Sequence, residues 1–70
     1  MAEPKCTNRV RELRNELGIT QGTLAERVGV SRQSINYIEQ STYSPSVTLA
    51  LRIAKVLGER VEDIFILEDE

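Results

Sequence analysis

Three residues, Gly29-Val30-Ser31, are all that separates two segments in which apolar side chains recur at every third or fourth position. That spacing is the helical period, so each segment presents one apolar stripe. A link this short forces the two helices to cross steeply and close together, and the residue at the crossing has to be small. Ala25 is placed to fill that role, since a larger side chain there would wedge the backbones apart. Gly29 supplies the positive φ that the turn demands, a conformation without steric cost only when Cβ is missing. Val30, Ile35 and Ile38 are expected to close the space underneath.

Ala25, Gly29, Ile35 and Ile38, held in one register with Gln21, match a helix-turn-helix unit spanning residues 21–40. Other punctuation organises the rest of the chain: Gly18, the Ser44-Pro45-Ser46 cluster and Gly58. A first helix is expected over Asn8 to Leu17, with Val10, Leu13, Arg14 and Leu17 on one face. Thr20 caps the second, whose Leu24, Ala25 and Val28 face inward, and Ser31 caps the third. Ser46 caps a fourth carrying the stripe Ala50, Ile53, Ala54 and Leu57. A short fifth helical turn runs from Val61 to Phe65 and leads to an acidic tail. The expected fold is all-α, a compact five-helix bundle forming one domain over residues 1–70.

Ile64-Phe65-Ile66-Leu67 is four apolar residues in a row, and a helix cannot bury four successive side chains on one face. A short strand suits them better. Lys5-Cys6-Thr7 is free to pair with it, which predicts a small two-stranded sheet made from the two ends of the chain. Apolar surface left over there suits a second copy, so residues 61–70 read as a dimerisation segment with Ile64, Phe65, Ile66 and Leu67 at the interface. Packing of the tail on its own core, or a disordered tail, are the other readings.

Composition supports an association of that kind, because a chain this short has little core to spare. With one cysteine, Cys6, no intrachain disulfide can form. The chain has no histidine, which disfavours a zinc site, and no metal or cofactor is expected. Oligomerisation is the remaining support for a small domain. No apolar run is long enough to cross a membrane, and the N-terminus lacks the apolar stretch of a signal peptide, so a cytoplasmic location is expected. An enzyme is disfavoured: there is no glycine-rich phosphate loop and no nucleophile with a base beside it. The net charge of −2 argues mildly against a nucleic-acid partner, but its distribution is uneven. Residues 1–32 carry six basic against four acidic side chains and residues 33–70 three against seven. One end can therefore attract phosphate while the other repels it.

The run from Thr20-Gln21 through Leu24-Ala25-Glu26-Arg27-Val28-Gly29-Val30-Ser31-Arg32-Gln33-Ser34-Ile35-Asn36-Tyr37-Ile38-Glu39 closely resembles the Xre-type family of phage repressors and Cro proteins. The resemblance extends from about Asn8 to Phe65 and includes Tyr43-Ser44-Pro45-Ser46. It implies a lambda-repressor-like fold, double-stranded DNA as partner, and a repressor acting as a homodimer on a palindromic operator; no small-molecule ligand is evident. An antitoxin or accessory subunit, whose main partner is a protein, is the competing function.

On a helical wheel of about 100° per residue, Gln33, Asn36, Tyr37 and Gln40 fall opposite Ile35 and Ile38. Gln33 is the foremost candidate for a base contact, since an amide can bond adenine through both its atoms, and Arg32 suits guanine or phosphate. Asn36 and Tyr37 stand behind them. Gln21 resembles the family's phosphate-binding glutamine, and Tyr43, Ser44 and Ser46 lie in the loop that in the family rests on the DNA backbone. Two features depart from that pattern. No Lys or Arg occurs between Glu39 and Leu51, and Ser41 stands where the family often ends its third helix with glycine. Glu39 falls on the core side of its helix, which is costly unless a partner neutralises it. Arg14, on the inward face of the first helix, is the expected partner, and related repressors pair these two positions.

Overall fold

The structure is a computed structural model, and it describes residues 5–68. Strand β1 (Lys5–Asn8) opens the described part. It is followed by helices α1 (Val10–Glu16), α2 (Gln21–Val28), α3 (Arg32–Glu39), α4 (Val47–Leu57) and α5 (Val61–Ile64), and strand β2 (Phe65–Glu68) closes it. The five helices and the two-stranded antiparallel sheet are those the sequence predicts, with ends that differ by a few residues.

The three expected caps form as their chemistry requires. Thr20 Oγ1 accepts the Thr23 N–H at 3.0 Å, Ser31 Oγ the Ser34 N–H and Ser46 Oγ the Leu49 N–H, each at 3.1 Å. Each bond satisfies an amide that the first helical turn would otherwise leave without a partner. One side of each helix then goes inward. Val10, Leu24, Val28, Ile35, Ile38, Ile53 and Ile64 are fully buried, joined by Leu13, Ala25, Ala54 and Leu57 in one cluster. Each large member contributes on the order of 1.5–3 kcal/mol.

Four expectations need correction. Asn8 does not begin α1 but ends β1. Its Oδ1 accepts the Val10 N–H at 3.1 Å and its Nδ2 donates to the Ile38 carbonyl at 2.7 Å, which fixes the start of α1 against the end of α3. Leu17 is 52% exposed. Helix α1 stops one residue earlier, and Ile19, beyond the reversal at Gly18, packs against the core instead. Phe65 leaves α5 for the sheet, its backbone extended at φ −105, ψ 122. Ile64 is no interface residue: it has no exposed surface and belongs to the core.

The switch from helix to strand at residues 64 and 65 resolves the run of four apolar side chains. Ile64 ends the helical turn facing the core, and its carbonyl accepts the Arg9 N–H at 2.9 Å. From Phe65 on, successive side chains alternate between the two sides of the sheet. Strand partners are Asn8 with Phe65, Thr7 with Ile66, Cys6 with Leu67 and Lys5 with Glu68. Phe65 and Leu67 therefore share one side with Cys6, and Ile66 takes the other. Of the expected dimerisation segment, Val61–Ile64 packs on its own bundle, Phe65–Glu68 forms the strand, and residues 69–70 lie outside the described part.

Candidate nucleic-acid interface

Helices α2 and α3 meet through the three-residue turn. Gly29 adopts φ 90, and the amides of Gly29 and Val30 both bond the Ala25 carbonyl, at 2.8 and 3.0 Å. Ala25 is buried as its role at the crossing requires. Arg52 reaches over from α4 and donates Nη1 to the Val28 carbonyl at 3.3 Å, so a third helix secures the turn. Nothing in the sequence singles out Arg52. Its partner is a backbone atom 24 residues away, and no spacing rule points to it.

The outward side of α3 carries Arg32, Gln33, Tyr37 and Gln40, all exposed, with Asn36 half-buried among them. These are the side chains expected on that face. Gln33 Nε2 donates to the Tyr37 hydroxyl at 2.9 Å, one turn apart on the same helix. Among the described residues this leaves Gln33 Oε1 and its second N–H without a partner on an exposed side chain, the pair that suits an adenine edge. Tyr43, Ser44 and Ser46 are exposed on the loop that follows. The Ser46 oxygen is occupied as a cap, and its hydroxyl proton remains available for donation.

Helix α3 ends on Ser41, at φ 60. The Ser41 N–H bonds the Ile38 carbonyl at 2.9 Å and the Thr42 N–H bonds the Tyr37 carbonyl at 3.1 Å, the paired closure that usually employs glycine. Serine thus stops the helix after Glu39 in the place where the resemblance leads one to expect glycine.

Beneath the outward face lies the expected ion pair. The Glu39 side chain has no exposed surface, and the Arg14 side chain is 11% exposed. Arg14 Nε donates to Glu39 Oε2 at 2.8 Å and Nη2 to Oε1 at 3.2 Å, while Arg14 Nη1 bonds the Ile19 carbonyl at 3.0 Å. Two further donors reach the carboxylate. Arg11, one turn before Arg14 on α1, donates Nε to Glu39 Oε1 at 3.4 Å, and Gln21 donates Nε2 to the same oxygen at 3.0 Å. The i, i+3 spacing of Arg11 and Arg14 was the available sign of the first. Burial by itself would raise the Glu39 carboxyl above the ordinary range. Hydrogen bonds from Arg14, Gln21 and Arg11 and the charge of Arg14 outweigh it, and the group is held below its usual value.

Gln21 accordingly does something other than expected. Its Nε2 is committed to Glu39 and, at 3.3 Å, to Asn36 Oδ1, so the side-chain amide protons are not free to grip a phosphate. The backbone amides at the start of α2 are left for an anion. The Thr23 N–H is taken by the Thr20 cap, and Gln21 and Gly22 line a cleft of about 780 Å³ with Asn15, Thr20 and Arg32, among others.

An apolar surface lies elsewhere. Cys6, Pro45, Val47, Leu51, Val61 and Phe65 are among the residues lining a groove of about 220 Å³ between the start of α4 and the sheet. Val47, Leu51 and Leu67 are largely exposed, with Val47 at 77%. No helix among the described residues is long and apolar enough to cross a membrane.

This architecture is shared. The profile of the helix-turn-helix family matches residues 10–64. A protein of Methanothermobacter thermautotrophicus, named as an uncharacterised helix-turn-helix-type transcriptional regulator, is 60% identical over 62 residues, which cover 87% of this chain and 90% of that protein. Among solved structures, the P22 c2 repressor in complex with a synthetic operator superposes with a TM-score of 0.75 at 33% identity, covering 77% of this chain and 82% of the repressor. The restriction-modification controller protein C.AhdI of Aeromonas hydrophila gives a TM-score of 0.74 at 31% identity, covering 79% of this chain and 83% of its own.

Proposed function

The chain belongs to the helix-turn-helix family of DNA-binding transcriptional regulators, which are not enzymes, and from that premise we propose that it is a repressor reading a palindromic operator as a homodimer. The observation that carries this reading is the row of Arg32, Gln33, Asn36, Tyr37 and Gln40 on one side of α3, a helix anchored underneath by the Arg14–Glu39 pair. Side chains at the start of such a helix meet base edges when it lies in the major groove. Gln33, Arg32 and Asn36 are assigned to bases, with Tyr37 bracing Gln33. The loop residues Tyr43, Ser44 and Ser46 and the first backbone amides of α2, at Gln21, are assigned to phosphates.

No basic residue lies between Gln40 and Ala50, so few phosphates are neutralised there and affinity should fall gently with salt. The second copy is assigned to the apolar surface of Val47, Leu51, Phe65 and Leu67. Ile66, on the opposite side of the sheet, takes at most a peripheral part. A single domain of this size gains both stability and a second half-site from such a contact. An intracellular location in the cytoplasm follows from a partner that is chromosomal DNA.

Selection of bound sequences from a random duplex pool, at stated salt, tests the reading. The expected product is an inverted repeat with half-sites roughly one helical turn apart. On that site Gln33→Ala should cost about 1–3 kcal/mol while leaving binding to random DNA nearly unchanged. In sedimentation the wild type should be a dimer at micromolar concentration, and Leu67→Asp a monomer. A pool without enrichment would refute the regulator reading; a monomeric wild type that selects one half-site would refute only the dimer.

A further inference from the structure

We infer that the buried Arg14–Glu39 pair, acting through Gln21, decides which half of the Asn36 amide faces DNA, so that Asn36 presents N–H donors alone and selects guanine. The inference deepens the operator-reading function proposed above and rests on it. An amide side chain has an oxygen and a nitrogen of nearly equal shape, so its hydrogen-bond partners fix its orientation. Here the sequence of partners begins with a group that leaves no choice. Glu39 is ionised and only accepts; Gln21 must therefore turn its nitrogen, not its oxygen, toward Glu39 Oε1, 3.0 Å away.

The second proton on that nitrogen points at Asn36, and it demands an acceptor. Asn36 Oδ1 lies there at 3.3 Å. Gln40 Nε2 donates to the same oxygen, also at 3.3 Å, from one turn further along α3. Both lone pairs of Asn36 Oδ1 are thereby occupied. Turning the Asn36 amide over would set its N–H groups against two other N–H donors. Among the described residues Asn36 Nδ2 has no acceptor of its own, and Asn36 lines a cleft of about 410 Å³ with Gln21, Arg32 and Gln33.

A free asparagine reads adenine through both atoms, accepting from N6 and donating to N7. Asn36 has lost its accepting half. Guanine presents two acceptors in the major groove, O6 and N7, and matches a donor-only amide. Adenine would leave its N6 protons facing the Asn36 protons, cytosine would oppose them with N4, and thymine offers the single acceptor O4 beside its methyl group, one bond where guanine accepts two. Gln21 is then a positioning residue. It touches the base reader, and its effect on specificity passes through Asn36.

Random-pool selection with wild type, Asn36→Ala and Gln21→Met tests this. The wild-type consensus should contain one guanine per half-site, favoured about tenfold over adenine, whose preference disappears in Asn36→Ala. In Gln21→Met the only remaining donor to Asn36 Oδ1 is the exposed Gln40, whose amide can turn together with that of Asn36, so adenine should rise at that position alone to within about twofold of guanine, as expected where an amide regains its bidentate option. An Asn36-dependent position that selects adenine, cytosine or thymine in wild type overturns the inference. So does a guanine preference undiminished in Gln21→Met. A wild type that enriches no sequence instead removes the underlying function, so the two failures are distinct. Proton exchange of the side-chain amides in ¹⁵N-labelled wild type decides the matter if Gln21→Met does not fold. Gln21 Nε2 protons should be protected and Asn36 Nδ2 protons should exchange freely; the reverse order overturns the inference.

Discussion

Ser41 holds a left-handed backbone, φ 60, at the point where α3 must stop. An L-residue in that conformation costs about 1–2 kcal/mol, because Cβ crowds the following carbonyl. Glycine removes the crowding but gives the unfolded chain more freedom, which returns roughly 0.5–1 kcal/mol. Ser41→Gly should therefore stabilise the domain by about 0.5 kcal/mol, raising the melting temperature by roughly 2–4 °C in a chain of this length. Calorimetry on the two proteins checks it, and a melting temperature lowered by the glycine would mean that serine bears no strain there. Features this local are the ones the amino-acid order discloses. Thr20, Ser31 and Ser46 can be read as caps because a cap acts on amides two or three residues away. Glu39 could be paired with Arg14 because a carboxylate facing the core demands a cation. Gln21 could not be read as an internal donor. Its partners Asn36 and Glu39 lie 15 and 18 residues away, and only the packed angle between α2 and α3 brings them within reach.

That angle depends on Ala25 and the turn after it. Ala25 is 3% exposed between two helices, and Gly29 has the Arg52 guanidinium 3.5 Å from where a Cβ would sit. Ala25→Leu adds three carbons where the backbones approach, and should destabilise the domain by roughly 1–3 kcal/mol through overpacking. DNA affinity should fall further than stability alone explains, because spreading the helices also parts Gln21 from Asn36. Chemical denaturation and binding to the selected site measure the two effects separately; a variant as stable as wild type would put the crossing somewhere else. The elements themselves were legible from apolar periodicity. Their ends were legible only where a cap or a glycine marked them. Leu17 fits the stripe of α1 by spacing, yet the helix stops before it, and the next apolar residue, Ile19, is the one that packs inward. Four apolar residues in a row exceed one helical face, which by sequence alone puts Ile64 at an interface. The chain instead changes from helix to strand there, and a change of period between neighbouring residues leaves no mark in composition.

At the scale of the molecule, Glu39 joins three helices at one point: Arg14 and Arg11 reach it from α1, Gln21 from α2, and it stands at the end of α3. Stability should therefore respond to pH through this one carboxyl in a way that reverses when its main partner is removed. In the wild type Glu39 titrates below its ordinary value of 4.5, so the native state binds fewer protons than the unfolded chain as pH falls into that region. Its contribution is complete above the ordinary value and is lost as pH drops through the lowered one. Arg14→Met keeps the aliphatic bulk but leaves a carboxylate without exposed surface, supported by Gln21 and the outer Arg11 alone. At neutral pH this should cost about 3 kcal/mol, as for a buried pair broken on one side. Burial then dominates and pushes the Glu39 carboxyl up, so the native variant holds a proton that the unfolded chain releases. Its stability falls as pH rises through that interval, the opposite slope to the wild type. The gap between the two proteins should be widest near pH 7 and should narrow on acidification through pH 4.5, as Glu39 in the variant takes up its proton and the buried charge disappears. Urea unfolding of both proteins at neutral, mildly acidic and acidic pH measures that gap. A gap of constant size would mean that Arg14 stabilises the bundle through its bond to the Ile19 carbonyl and its packing, with the charge of Glu39 balanced by other groups.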